Sequence, residues 1–366
     1  MFFSENLFEQ TPEDPACYSC GGIGKSITPK MRHRRNSQGV VAVFDKPSVE
    51  ADSRGRLGTN TGFVLRGIFG RRPMSVLYAS ACHGASCKKR VQYCAPFLKS
   101  RLKKWDAKVI YVFGPEALEG VLQGVWDDIG VYSRWVGEWV PLHSMNAWVI
   151  PMYPIKEYFD KRTGNAAFVL SKQWIHSTET DPYELKPKIF PIYDSREIIN
   201  EIRRYSASQD IVVFDYETTS LKPEGPGQKI LCVGMADSKR TIAFPFTSDV
   251  REEFRAFLKS PAKKVAANMK FEDRWSKSIL KTRVRNWYFD TMLKAHLING
   301  SRGYSGLKFQ AFVKYGIPDY SKEVDPYMEA DPKTGLNRLE SFPIHKLLEY
   351  CGMDAWAELH LAGRSI

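Results

Sequence analysis

Residues 210–218, DIVVFDYET, form an apolar run that closes on two carboxylates two positions apart. Side chains two apart on a β-strand share a face, so a strand here carries Asp215 and Glu217 side by side at its end. Asp and Glu are poor strand formers, and a pair of them ending a hydrophobic strand needs a reason. Further on, KKVAANMKFE (263–272) reads as a strand-to-helix turn that delivers Glu272. Asp273 faces another way and is expected only to offset the charge of the helix N-terminus. Tyr350 and Asp354 are four apart in a helical stretch and therefore lie on one face. Gathering four carboxylates costs free energy unless cations sit among them. Their convergence reads as a site for two divalent ions, an arrangement suited to phosphodiester hydrolysis.

The chain has 366 residues, long for one core, so two domains are expected. Hydrophobic residues at 43% and aromatics at 13% exclude a disordered chain. No apolar run has the length of a membrane span, and MFFSENLFEQ lacks the features of a secretory signal. A soluble cytoplasmic protein without a membrane partner is the expectation. The net charge is +12, and residues between Asp52 and Asp106 hold 12 Lys+Arg and no acid. Such a run is either a solvated face or a phosphate-binding surface; nearby aromatics favour phosphate, and hence DNA. Of seven cysteines, Cys232 and Cys351 read as buried small hydrophobes, while the other five cluster before residue 95.

The N-terminal part alternates candidate strands (39–47, 75–81, 108–114, 148–154) with candidate helices (63–69, 95–105, 115–125). That alternation predicts an α/β domain with a doubly wound, mostly parallel sheet. The polar, proline-bearing stretch HSTETDPYELKPKIFPI marks a boundary, dividing the chain into 1–178, a linker at 179–190 and 191–366. In the second domain, strands are expected at 210–218, 229–237 and 240–246, and helices at 251–260, 274–281 and 345–363.

The acidic motifs resemble the proofreading 3′–5′ exonuclease domain of family A DNA polymerases, of the DEDD type with a tyrosine in its third motif. The first motif stands as Asp215-Tyr216-Glu217-Thr218-Thr219-Ser220-Leu221, the second as Asn268-Met269-Lys270-Phe271-Glu272, and the third as Tyr350 and Asp354. Asp290-Thr291-Met292-Leu293 and Gly306-Leu307-Lys308 match the intervening "FDTML…GLK" pattern. One departure is that the second-motif acid is Glu rather than Asp. The resemblance implies a ribonuclease H-like domain with a mixed sheet. It also implies two Mg²⁺ or Mn²⁺ held by Asp215, Glu217, Glu272 and Asp354, with Tyr350 orienting the attacking water. Thr218, Leu221 and Asn268 would contact the substrate, a single-stranded or frayed 3′ end of DNA, and nucleoside 5′-monophosphates would be released.

Cys17-Tyr18-Ser19-Cys20, with Cys82 and Cys94, resembles the four-cysteine set of family 4 uracil-DNA glycosylases, as does the stretch 94–118. This implies a three-layer α/β/α domain with a 4Fe–4S cluster, although four thiolates also suit zinc, and buried free thiols are the plain alternative. The catalytic motifs depart from the family. Its Gly-Glu-Ala-Pro-Gly stands as Phe44-Asp45-Lys46-Pro47-Ser48, its His-Pro-Ser as Tyr153-Pro154-Ile155, and its uracil-reading asparagine as Tyr78. The expectation is a retained DNA-binding scaffold, with an active glycosylase using Asp45 as the alternative. The two domains together resemble the front end of certain bacteriophage DNA polymerases, which places the protein in the host cytoplasm. The chain ends at Ile366, so the synthesis part is expected either in a separate polymerase subunit or in a longer protein of which this is an excerpt. A catalytically silent DNA-binding module of a replisome is the reading from another class.

Overall fold

The computed structural model describes residues 35–47, 57–80, 90–175, 181–182 and 184–363. Cys17, Cys20, Cys82 and Cys87 fall outside these residues; Cys94 falls within them. Two compact units form. The first runs to Glu184 and includes Phe312–Pro318; the second comprises Leu185–Ala311 and the chain from Asp319.

In the first unit the described elements are β1 (Val40–Phe44), α1 (Thr59–Phe69), β2 (Ser75–Tyr78), α2 (Arg90–Lys104), β3 (Val109–Phe113), α3 (Pro115–Leu122), β4 (Val140–Leu142), β5 (Ala147–Met152) and α4 (Gly164–Gln173). The sheet order is β2-β1-β3-β5-β4, with β4 antiparallel to β5 and the other pairs parallel. Parallel strands buried on both faces read as continuous apolar runs, which is why VVAVF and VIYVF show no alternation. One face, with Ala42, Phe44, Val76, Tyr111 and Ile150, packs on Val64 and Ile68 of α1 and Ala167 of α4. The opposite residues Val41, Val43, Leu77, Ile110 and Val112 are equally buried. On that side α3 packs against β1 and β3, and α2 against α3. Phe312 belongs to this unit, stacked on Trp126 with ring centroids 4.7 Å apart.

The second unit contains β6 (Ile189–Pro191), α5 (Ser195–Ser206), β7 (Ile211–Thr218), β8 (Ile230–Ala236), β9 (Thr241–Pro245), α6 (Arg251–Lys259), β10 (Lys263–Ala266), α7 (Met269–Ile279), β11 (Trp287–Asp290), α8 (Thr291–Ile298), the start of α9 (Leu307–Tyr315, whose residues from Phe312 count with the first unit), α10 (Asp325–Met328) and α11 (Ile344–Gly363). Its sheet is mixed, in the order β11-β10-β7-β8-β9-β6. The hairpin strands β7, β8 and β9 are antiparallel neighbours, while β10, β11 and β6 join in parallel. Central strand β7 is covered on both sides. Val212, Phe214 and Tyr216 face a core built with Ile198 and Ile202 of α5, Phe254 and Phe257 of α6, and Trp275 of α7. Val213 faces the other way, against Ala355 and Ala362 of α11. Strand alternation then places Asp215 and Glu217 on the α11 side.

Small residues let α11 lie close to the sheet. A Cβ on Gly234, the β8 partner of Asp215, would stand 2.5 Å from the Cys351 carbonyl oxygen. One on Gly352 would stand 2.4 Å from Ile189 Cγ2. Helix α7 starts five residues before the expected 274, because the turn feeding it is pinned. Asn268 takes a left-handed conformation (φ 67°, ψ 56°), which asparagine tolerates better than most residues. The carboxylate of Asp290 accepts hydrogen bonds from Asn268 N and Met269 N, both at 3.1 Å, and caps α8 by accepting from Leu293 N at 2.9 Å. Asp273, expected to act on the helix terminus, instead accepts from Val284 N at 3.0 Å and ties α7 to the following loop.

Asp290→Ala removes the acceptor of three backbone N–H groups. We expect it to destabilise the second unit by about 2–4 kcal/mol. Denaturant titration of that unit's transition reads this, and an unchanged midpoint would contradict the clamp.

Candidate active site

β7 ends in the candidate site. The carboxylates of Asp215 and Glu217 lie with Cys351 Sγ so that one ligand atom of each is within 4.8 Å of the others. Cys351 and Cys232 are fully buried. The Cys351 thiol approaches Asp215 as a weak donor, 3.7 Å from its carbonyl oxygen and 3.9 Å from Oδ2. Register skips a residue of β8 between the partners of Glu217 and Thr218, a bulge of the kind that re-aims side chains beside functional sites.

The other two acids arrive from helices. Glu272, in the first turn of α7, is 1% exposed, and its Oε2 has no hydrogen-bond partner. Asp354 is buried in α11, where Lys308 Nζ of α9 donates to its Oδ2 at 2.5 Å and the Tyr320 hydroxyl donates to its Oδ1. The sequence-predicted acids therefore occupy one electrostatic neighbourhood but not one ligand cage. Asp215 and Glu217 are side by side, Glu272 is orphaned nearby, and Asp354 is held by a lysine and a phenol. Tyr350, four residues before Asp354, is 8% exposed, with the Lys308 ammonium 4.5 Å from its ring centroid.

Charge repulsion shows in the ionisation of the group. Burial, reinforced by the Asp354 carboxylate, pushes Asp215 up to about 8. Burial and Asp215 together push Glu217 well above the usual carboxylate range, and the same pair of causes raises Glu272. Burial would depress Lys308, yet Asp354, Glu217 and Asp215 together outweigh it and hold the ammonium protonated. Burial keeps the Tyr350 phenol protonated far into the alkaline range. Such a cluster is stabilised by added positive charge. Its hard carboxylate oxygens, one of them orphaned and buried, suit Mg²⁺ or Mn²⁺ better than a soft metal.

The expected substrate-contacting residues are placed differently from one another. Leu221 is 81% exposed just beyond β7, an apolar side chain open to solvent. Thr218 is buried, its hydroxyl donating to Ser220 O at 2.7 Å and its carbonyl accepting from Asn337 Nδ2 at 2.8 Å. Asn268 serves the α7 turn, and its side chain makes no capping bond.

Three residues escaped the sequence reading. Lys308 sat within a quoted motif without a role, and Tyr320 lies outside every motif. Glu358 continues the four-residue spacing of Tyr350 and Asp354 along α11, a signal available in sequence. It is 1% exposed, its Oε2 has no partner, and it accepts a hydrogen bond from Ala267 N at the entrance to α7.

In the first unit, Asp45 follows β1, and its Oδ1 accepts from Ala117 N in α3 at 2.8 Å. Gly114 adopts φ 125°, and a Cβ there would lie 2.2 Å from Asp45 Oδ2. Burial pushes the Asp45 carboxyl up to about 6. The carboxylate thus fastens α3 to the sheet. Tyr78 is buried in the core. Cys94 is half-buried in α2; its proposed companions Cys17, Cys20 and Cys82 lie outside the described residues. The expected phosphate surface is thinned by internal use of its cations. Arg90 pairs with Glu116, Lys99 donates to Gln123 O, and Arg101 is buried beside the Phe97 ring. Arg66, Arg71, Arg72, Lys103 and Lys104 are exposed.

The chain matches no protein-family model and no curated protein. Among solved structures it is similar to the catalytic core of RRP6 from Trypanosoma brucei, at 14% identity and TM-score 0.39, over 50% of this chain and 48% of that one. It is also similar to Escherichia coli RNase D, an exoribonuclease involved in structured RNA processing, at 14% identity and TM-score 0.35, over 49% and 44%. A third is the POL domain of Pol1 from M. smegmatis in complex with DNA primer-template and dNTP, at 12% identity and TM-score 0.33, over 48% and 26%. This chain therefore spans about half the length of the RRP6 core. At these identities and TM-scores the likeness carries no functional weight.

The raised carboxyls fix the sign of a pH effect. An acid whose pKa rises on folding stabilises the protein below its unfolded value, near 4, and loses that contribution as pH rises through its folded value, here about 8. In EDTA, Asp215→Asn should match the wild type near pH 4 and exceed it increasingly towards pH 8. Melting temperatures across that range test this; a difference that does not grow would contradict the ionisation described.

Proposed function

We propose that the chain is a divalent-metal-dependent 3′–5′ exodeoxyribonuclease that releases nucleoside 5′-monophosphates, as the proofreading part or subunit of a phage-type family A DNA polymerase. The observation that carries this reading is the pairing of half-buried Asp215 with buried Glu217 at the end of β7, within the field of Glu272 and Asp354. Asp215, Glu217 and Asp354 would hold one ion, and Asp215 with Glu272 the other. When bound, the ions would supply a hydroxide nucleophile at neutral pH and charge to stabilise the leaving 3′-oxygen.

The chain's own groups have definable tasks. Lys308 and Tyr320 fix the Asp354 carboxylate from two directions. Tyr350, protonated at neutral pH, presents a phenol suited to orienting a water. Leu221 offers an exposed apolar surface on which the terminal base of a frayed strand stacks regardless of its identity. Asn268 and Thr218 shape the two turns that flank this end. The first unit acts as a glycosylase-like scaffold that binds DNA through its exposed basic residues, with Cys17, Cys20, Cys82 and Cys94 holding a 4Fe–4S cluster or zinc. Asp45 bonded to a helix amide argues against an active glycosylase there.

The test uses a 5′-labelled single-stranded DNA with Mn²⁺ or Mg²⁺. Wild-type protein should shorten the strand from its 3′ end and release mononucleotides, and EDTA should stop it. Asp215→Ala and Asp354→Ala should each lower the rate by roughly a thousandfold or more, the scale of losing an ion's charge from the transition state. DNA binding should persist. Full activity in either variant, or digestion of RNA alone, would remove this reading.

A further inference from the structure

Glu358 has no task in the mechanism above, yet its setting is costly. It is 1% exposed, and only one of its carboxylate oxygens is bonded, by Ala267 N; Oε2 has no partner. An unpaired carboxylate oxygen in a protein interior is destabilising by several kcal/mol if the group is charged. Glu358 also feels Asp215, Glu272 and Asp354 as charged neighbours. Its place in the fold explains how. Tyr350, Asp354 and Glu358 recur every four residues on α11, so they line one face of the helix. Ala267, which anchors Glu358, immediately precedes the Asn268 turn that launches α7 and Glu272. Two orphaned oxygens, Glu272 Oε2 and Glu358 Oε2, thus belong to side chains anchored at either end of one short turn. Among the described residues, no cationic side chain donates to either of these oxygens. Lys308, the ammonium in this neighbourhood, donates to Asp354.

We propose that Glu358 is a fifth carboxylate of the ion site, supplying its Oε2 beside Glu272 to the same divalent ion. This rests on the nuclease reading and deepens it. It also accounts for Glu at the second-motif position: a longer acid shares its ion with another long acid reaching in from α11.

Mn²⁺ binding to the intact protein, followed by calorimetry and by electron paramagnetic resonance of free Mn²⁺, tests this without relying on activity. Wild-type protein should bind two ions. Glu358→Gln preserves volume and an acceptor for Ala267 N; it should weaken one ion by about tenfold or more and leave the other unchanged. Glu272→Gln should weaken the same ion. Glu358→Asp keeps the charge but withdraws the oxygen by one methylene, and should also weaken that ion, whereas a merely structural carboxylate would leave affinity untouched. Wild-type affinity for both ions in Glu358→Gln and Glu358→Asp would overturn the assignment while leaving the nuclease reading intact. Failure of the wild type to bind any Mn²⁺ would overturn both.

Discussion

Carboxylates withdrawn from water and set against one another define the site of the second unit. Asp215, Glu217, Glu272, Asp354 and Glu358 lie in one neighbourhood, and Lys308 is the ammonium bonded within it. In a low-dielectric interior such repulsion is only weakly screened. Desolvation, and after it this repulsion, leaves Asp215, Glu217, Glu272 and Glu358 holding protons they would lose in water, and the remaining deficit of positive charge is what makes the place a cation site. A fold selected for stability alone would not assemble this group.

Holding the acids there requires close backbone contact. β7 supplies two of them through strand alternation, and α11 supplies others through its four-residue repeat. These elements meet closely because Gly234 and Gly352 admit the helix where a Cβ would collide. On the opposite side the Asp290 carboxylate fixes the turn that orients Glu272, so an acid outside the ion-binding group sets the position of one inside it. Buried Lys264, its ammonium pushed down to about 8 by desolvation, has a different role. It donates to Ser260 O and Ala262 O, satisfying carbonyls at the end of α6.

Much of this was legible in the sequence, for identifiable reasons. The strands of the first unit announce themselves as unbroken apolar runs, and β7, β8 and β9 come as consecutive strands with a tight turn between the last two. Helix α5 was missed although its N-cap is written in Asp194, which accepts from Arg196 N and Glu197 N; the polar surroundings hid the periodicity. Short strands such as β4, β6 and β11 have three or four residues, too few for a pattern to emerge. The start of α7 was misread because it depends on Asp290, about twenty residues away. Within the site, Asp215, Glu217, Glu272 and Asp354 stand on motif positions, whereas Tyr320 and Lys308 reach Asp354 through tertiary packing that no local spacing encodes. Glu358 was readable from its spacing and overlooked because no motif contained it.

Crystallography of the protein soaked in Mn²⁺, with data collected at the manganese absorption edge, shows directly whether these acids hold ions. Anomalous peaks should appear in contact with the Asp215 carboxylate, bounded by Glu217, Glu272 and Asp354. Well-diffracting crystals with no anomalous density at Asp215, or with density only at surface acids elsewhere, would contradict it.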